Sequence, residues 1–364
     1  MKIAMVASEA APFVKTGGLG DVLQALPQAL SEIKNNEVSV FIPFYDRIKY
    51  SGKYDVEFLG YFDVPLAWRR EYVGLLRLKS RRKKLKIYFI DNEHYFCRGC
   101  VYGCADDGER YAYFAKAALA SMAFIGLQPD VVHCHDWQAA LVPVYLRTLF
   151  RDTPVGRARS VITIHNLRFQ GVYNIPTIRY WSGLPDDVFN MGALKQDWVE
   201  ANMLKGGLAY ADRITTVSGT YAWEIQTSEY GERLEEHLRY HSGKLRGIVN
   251  GIDYGMWNPE TDPALAVNYG LGNVLEHKMA NKLALQRELG LEEDEGKFVI
   301  GLISRLTNQK GLDLVNAIIA QVMDGNTQVV VLGTGDKQYE DAFRSYERAF
   351  KGSFSACIQY DEAR

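Results

Sequence analysis

Lys2-Ile3-Ala4-Met5-Val6-Ala7, followed shortly by Lys15-Thr16-Gly17-Gly18-Leu19-Gly20-Asp21, decides how the chain is read. The first run is an apolar strand, the second a loop, and a helix follows with Val22, Leu26, Ala29 and Ile33 on one buried face. Glycines at 17, 18 and 20 carry no Cβ, so the backbone is free to take positive φ and to let a ligand approach main-chain N–H groups. The helix start turns its unpaired N–H groups and positive dipole end toward the loop. Lys15 adds a full positive charge beside those donors, a combination suited to a diphosphate. A purely structural turn is the alternative reading of the same glycines. Pro27 predicts a kink or a later helix start. Gly17, Gly18 and Gly20 do not read G-x-G-x-x-G, which disfavours a nicotinamide enzyme.

Outward from that stretch, 364 residues of which 47% are hydrophobic predict about two domains with sizeable cores. A formal net charge of −2 offers no field for nucleic acid or an anionic membrane, so neither is expected as a partner. Basic residues gather at Arg69, Arg70, Arg77, Lys79, Arg81, Arg82, Lys83 and Lys84, without the aromatic interleaving that base stacking needs, and read as decoration of a hairpin turn. No apolar run reaches the ~20 residues of a membrane span. The start of the chain shows no signal-peptide pattern, so a cytoplasmic protein is expected, or a plastid stromal one after loss of a transit peptide. Cys97, Cys100 and Cys104, with His94 upstream, invite a zinc reading, but the spacing matches no usual zinc pattern and reduced thiols near a loop are the alternative. No metal is expected.

The rest of the first half keeps a strand-and-helix rhythm. A second parallel strand is predicted over 37–42, then antiparallel additions over 56–59, 72–78 and 85–90. A helix over 110–125, with Phe114, Ala118, Met122 and Ile125 on one face, precedes a strand running into His133-Cys134-His135-Asp136-Trp137. A helix over 138–150 follows. The strand over 160–164 ends in His165-Asn166, and the one over 213–217 ends in Ser218. Strands that finish in polar residues and feed helices set those residues at the carboxyl edge of a parallel sheet, so Lys15, Asp136 and His165 are expected to converge. His133 and His135 point the same way as alternate strand residues; a metal pair and a buried, hydrogen-bonded histidine are the two readings. A first domain over 1–258, a linker over 259–272 and a partial second domain over 273–364 are expected. Strands over 298–303, 328–332 and 355–359 alternate with helices over 312–323 and 339–350 in that second part, and three strands leave an apolar face and an unpaired edge exposed.

With these residues collected, the chain resembles the bacterial glycogen synthases and plant starch synthases. The resemblance rests on Lys15 to Asp21, His133 to Trp137, Thr163-Ile164-His165-Asn166, Thr216-Val217-Ser218, Asn250-Gly251-Ile252-Asp253, and Ser304-Arg305 with Gln309-Lys310-Gly311, all in family order. It implies an α/β, GT-B fold of two Rossmann-like, doubly wound domains facing across a cleft. The implied activity is retaining transfer of glucose from ADP-glucose to the non-reducing end of an α-1,4-glucan, without metal or cofactor. By the same resemblance Lys15, Gly17, Gly18 and Gly333 contact the donor. Asp136 and His165 hold the glucose, while Arg305 and Lys310 neutralise the leaving diphosphate, as two fixed cations do in place of a metal ion. Asp21 stands open between donor contact and helix N-cap. Tyr95 and Arg98 fall in the family's acceptor region. The family's pattern continues past position 364 into an E-P-C-G-L segment that supplies a carboxylate, so the 364 residues by themselves are expected to keep a folded first domain and to transfer no glucose. The alternative reading is a non-catalytic glucan- or nucleotide-binding protein with a degenerate second domain.

Overall fold

A computed structural model describes residues 1–359 and 361. The chain divides into two compact α/β units, Met1–Gly251 and Ile252–Arg364. The division falls before the expected boundary at 258, and the segment 259–272 lies within the second unit.

The first unit is built on nine strands: β1 (Lys2–Val6), β2 (Glu37–Pro43), β3 (Val56–Leu66), β4 (Arg69–Leu78), β5 (Leu85–Asp91), β6 (Val131–His135), β7 (Arg159–Ile164), β10 (Arg213–Thr216) and β11 (Leu245–Gly247). A separate antiparallel pair, β8 (Val172–Asn174) and β9 (Glu200–Asn202), interrupts the count. The main sheet runs β11-β10-β7-β6-β1-β2-β5-β4-β3 and is parallel from β11 to β5. β3 and β4 add an antiparallel hairpin at one edge, as the short β-rich runs led one to expect, although β3 extends to Leu66; the run over 85–90, expected as a further antiparallel addition, is instead β5, parallel to β2. β1 is buried from Ile3 to Val6, the continuous apolar run of a strand covered on both faces. It lies between β2 and β6, where the strand order reverses direction. Open α/β sheets bind ligands outside the carboxyl ends of the strands at that point.

The helix Gly18–Glu32 starts before Pro27 and is continuous through it, and Pro27 is buried. Its fully buried stripe is Leu19, Leu23, Pro27 and Ser31; of the expected face, Val22 and Leu26 are half-buried and pack against the core, while Ala29 and Ile33 are exposed. A four-residue repeat follows the i, i+4 ridge of a helix and brings the proline onto the buried side. The helix Asp107–Phe124 is buried almost all round, beyond the single face expected, because it is covered by the sheet on one side and by the helices Leu141–Arg147 and Ile175–Ser182 on others. The helix expected over 138–150 is a 3-10 turn at Trp137–Ala139 followed by Leu141–Arg147.

The second unit holds β12 (Phe298–Ile303), β13 (Thr327–Leu332) and β14 (Phe354–Cys357) in the order β12-β13-β14, all parallel. The helices Leu312–Val322 and Lys337–Ala349 alternate with them, after an additional helix, Val274–Glu288. Leu306, Leu312, Ile319, Val331, Phe343 and Phe354 form its core. Phe298 and Ile303 of β12 are exposed, in keeping with a three-stranded sheet.

Candidate active site

At the carboxyl edge of the first unit the chain leaves β1 as Ala7-Ser8-Glu9, β6 as Asp136 and β7 as His165-Asn166. Asp136 is nearly buried and has φ 55° and ψ −173°. A non-glycine residue rarely adopts this conformation, which stores roughly 1–3 kcal/mol unless the surroundings hold it. They do: its own N–H donates to the Thr163 carbonyl at 2.9 Å, while Oδ1 accepts from the N–H groups of His165 at 2.7 Å and Asn166 at 3.3 Å. Burial pushes the Asp136 carboxyl up to about 7; the two N–H bonds pull it down and the charge of Glu9 pushes it further up.

His133, His135 and His165 form a stack beside it. The His135 Nδ1 lies 3.0 Å from the His165 Nε2, and ring centroids are 4.2 Å apart for His133 and His135 and 5.3 Å for His135 and His165. His133 Nε2 shares a 2.6 Å bond with Thr163 Oγ1, itself 2.6 Å from Thr215 Oγ1. Burial lowers His133 and His165 to about 4, and lowers fully buried His135 well below its usual value. The stack is therefore neutral at physiological pH, a set of hydrogen-bonding groups rather than cations. Among the described residues no group of three or more His, Cys, Asp or Glu is arranged to hold a metal ion.

Glu9, which the sequence reading passed over, joins the two halves of the site. It is 2% exposed, its Oε2 accepts from the Thr16 N–H at 2.5 Å, and its charge acts on Asp136. A polar residue just past a strand end was the available signal. The glycine loop differs from expectation. Gly17 is extended (φ −169°), and none of Gly17, Gly18 or Gly20 has positive φ. A Cβ on Gly17 or Gly18 would meet nothing within 4 Å, so the space they leave lies open; on Gly20 it would press on Lys15 at 3.0–3.2 Å. Lys15 Nζ pairs with Asp21 Oδ1 at 2.8 Å. The helix begins at Gly18 with Gly17 as N-cap, so Asp21 sits in the first turn and the N-cap reading of it is corrected. Ser218, by contrast, is a helix N-cap, accepting from the Tyr221 N–H.

Tyr95 is 1% exposed, stacked on Tyr113 at 4.6 Å, with its hydroxyl on Glu109 at 2.8 Å. Arg98 reaches both oxygens of Asp106 at 2.5 and 2.6 Å and the His94 carbonyl. These two neighbours thus have different partners. In the second unit the loop Ser304-Arg305-Leu306 lies on Gly333-Thr334-Gly335: Leu306 donates to the Thr334 carbonyl at 2.9 Å, and Asp336 donates to the Leu306 carbonyl at 2.7 Å. Gly333 has φ +154°, and a Cβ there would sit 1.9 Å from the Ser304 carbonyl oxygen. Arg305 and Lys310 are both exposed, and among the described residues neither is held in an ion pair.

Residues 2–240 match the family model described as the starch synthase catalytic domain. The glycogen synthase of Lachnospira eligens is 46% identical over 362 residues, 99% of this chain and 75% of the relative; that of Streptococcus mutans is 44% identical with the same coverage. The chain belongs to the glycogen and starch synthase family. The catalytic domain of starch synthase IV from Arabidopsis thaliana, solved with ADP and acarbose bound, superposes with a TM-score of 0.92 at 32% identity, over 99% of this chain and 74% of that one. Membership makes the chain a glucan-extending glucosyltransferase of GT-B fold. No helix among the described residues is long and apolar enough to cross a membrane.

Proposed function

We propose that the enzyme takes glucose from ADP-glucose and adds it, with retention of configuration, to the non-reducing end of an α-1,4-glucan. The observation that carries this reading is Asp136: a strained, nearly buried carboxylate fixed by the main chain of His165 at the strand-order reversal. The starch synthase IV relative was solved with ADP, the nucleotide that transfer from ADP-glucose releases. In the first unit Lys15 and the open face of Gly17 and Gly18 meet the donor, with Asp21 steadying the lysine. Oδ1 of Asp136 is committed to two N–H groups, so its other oxygen accepts from a glucose hydroxyl. The neutral His165 imidazole adds a hydrogen bond to the sugar without a charge that would oppose oxocarbenium character. In the second unit Arg305, Lys310 and the tight turn at Gly333 supply positive charge and close backbone approach for the departing diphosphate. Tyr95 and Arg98 belong to the acceptor side. No metal or cofactor enters this scheme, and cytoplasmic residence is part of the same proposal.

Initial rates with ADP-glucose, UDP-glucose and glucose 1-phosphate, each with glycogen, test it. ADP-glucose is expected to be used fastest; equal or faster use of either competitor overturns the donor assignment.

A further inference from the structure

Cys100 and Cys104 lie in the loop between the short helix Glu93–Phe96 and the buried helix Asp107–Phe124, with their Sγ atoms 2.7 Å apart. Both are free thiols and partly exposed, so a small reagent reaches them. A disulfide requires about 2.05 Å between sulfurs, so closing one moves these atoms by less than about 1 Å. Of the other cysteines, Cys134 is fully buried and Cys357 belongs to the second unit.

The backbone holds the two sulfurs in place. The Gly99 N–H donates to Asp46 Oδ2 at 2.5 Å, Arg110 Nη2 donates to the Cys100 carbonyl at 3.4 Å, and the Tyr111 hydroxyl donates to the Val101 carbonyl at 2.6 Å. The Gly103 N–H donates to Asp107 Oδ2 at 2.7 Å, and Gly103 takes φ +93°, the left-handed conformation that turns the segment back on itself. Between the cysteines, the Tyr102 hydroxyl is 2.7 Å from Ser8 Oγ, which follows β1 beside Glu9. Just before them stands Arg98. A bond between the sulfurs therefore closes a ring over 100–104, which begins two residues after Arg98 and holds Tyr102, the residue that reaches Ser8 at the carboxyl edge.

We propose that Cys100 and Cys104 are a reversible thiol–disulfide site, oxidised by low-molecular-weight disulfides, whose state sets how rigidly the loop of Arg98 and Tyr102 is held. One thiol gives up its proton and attacks a sulfur of the small disulfide RSSR, expelling RS⁻ and leaving a mixed disulfide. The second, as thiolate, attacks the protein sulfur of that bond and expels the second RS⁻. Two protein thiols are oxidised by two electrons, and RSSR is reduced to two RSH. The neighbouring Cys104 sulfur, with burial, holds the Cys100 thiol above its ordinary value, so the first attack is faster in mild alkali than at neutral pH. A loop fastened in advance loses less freedom when glucan binds, and the oxidised form binds acceptor more tightly. This second half rests on the glucan reading above; the disulfide does not.

The test equilibrates the folded protein with oxidised glutathione at pH 8, blocks remaining thiols with iodoacetamide and digests with trypsin. Cleavage after Arg98 and Arg110 yields a peptide, 99–110, that contains Cys100 and Cys104 and excludes Cys97. The expected product is that peptide without alkyl groups and two hydrogens lighter than its dithiol. Restoration by dithiothreitol is expected, and so is loss of the product in Cys104→Ser but not in Cys97→Ser. A doubly alkylated peptide, a lasting glutathione adduct or a link to Cys97 overturns the site. Affinity for maltoheptaose is expected to rise at least about threefold on oxidation and to be unmoved in Cys104→Ser. Equal affinity in both states overturns the coupling. Failure of the reduced protein to bind maltoheptaose at all counts against the glucan reading, while the peptide mass still judges the disulfide.

Discussion

Asp136 carries an unusual burden for one residue: a disfavoured backbone angle, burial and a carboxyl pushed up to about 7. A folded-state value above the unfolded ~3.9 means that the native state binds more protons, so stability from this group is lost as pH rises from about 4 to 7. Asp136→Asn keeps an oxygen for the His165 and Asn166 N–H groups and removes the buried charge. It is expected to stabilise the protein by on the order of 1–3 kcal/mol at pH 8.5 and by little at pH 4.5, while lowering glucose transfer. Thermal melts at the two pH values check this. Lys15→Ala is expected to cost about 2–4 kcal/mol of transition-state stabilisation, read from kcat/KM for ADP-glucose, with glucan affinity unchanged. Asp136 and His165 were legible because polar residues at parallel strand ends follow a simple rule. Glu9 obeys the same rule and was overlooked because it belongs to none of the motifs, and its part shows only when β1 is seated beside β6.

Glycines in two loops look alike in sequence and differ in the fold. A Cβ on Gly18 meets nothing, so Gly18→Ala is expected to leave the melting temperature unchanged while raising the KM for donor about tenfold through lost close approach. Gly333 combines φ +154° with the Ser304 carbonyl at 1.9 Å from its would-be Cβ, so Gly333→Ala is expected to destabilise the second unit by roughly 3 kcal/mol or more. Calorimetry with donor titration separates the two outcomes. Strand and helix positions were legible from period and punctuation, with β12 found at 298–303 as expected. The buried face of Gly18–Glu32 was legible only in part: Val22 and Leu26 pack against the core, but Pro27 and Ser31 of the fully buried row are not residues that a hydrophobic period picks out. The nearly complete burial of Asp107–Phe124 was not legible, because it depends on what packs over it.

Across the molecule, His133, His165 and His241 are lowered to about 4 and His237 to about 3, in each case chiefly by burial. Between pH 6.5 and 4 the unfolded chain binds protons that the native chain refuses. Stability from these groups is thus full above about pH 6.5 and falls as pH drops toward 4. Five histidines, His135 included, oppose the rises at Asp136 and Asp91, so the urea midpoint at pH 5 is expected to lie below that at pH 7; an equal or higher midpoint contradicts the neutral, buried histidines. The α/β class and the edge hairpin were legible at this scale because strand ends and short antiparallel runs differ in pattern. The separation near Gly251 is set by contacts between distant segments, which no local pattern records.

The most direct measurement follows labelled glucose from ADP-glucose into precipitated glycogen, comparing the full natural polypeptide with its His165→Ala and Arg305→Ala variants at matched melting temperatures. The account predicts steady incorporation by the natural enzyme and a loss of at least about a hundredfold in each variant, on the scale of a removed transition-state stabiliser. Incorporation by both variants at the natural rate would contradict it.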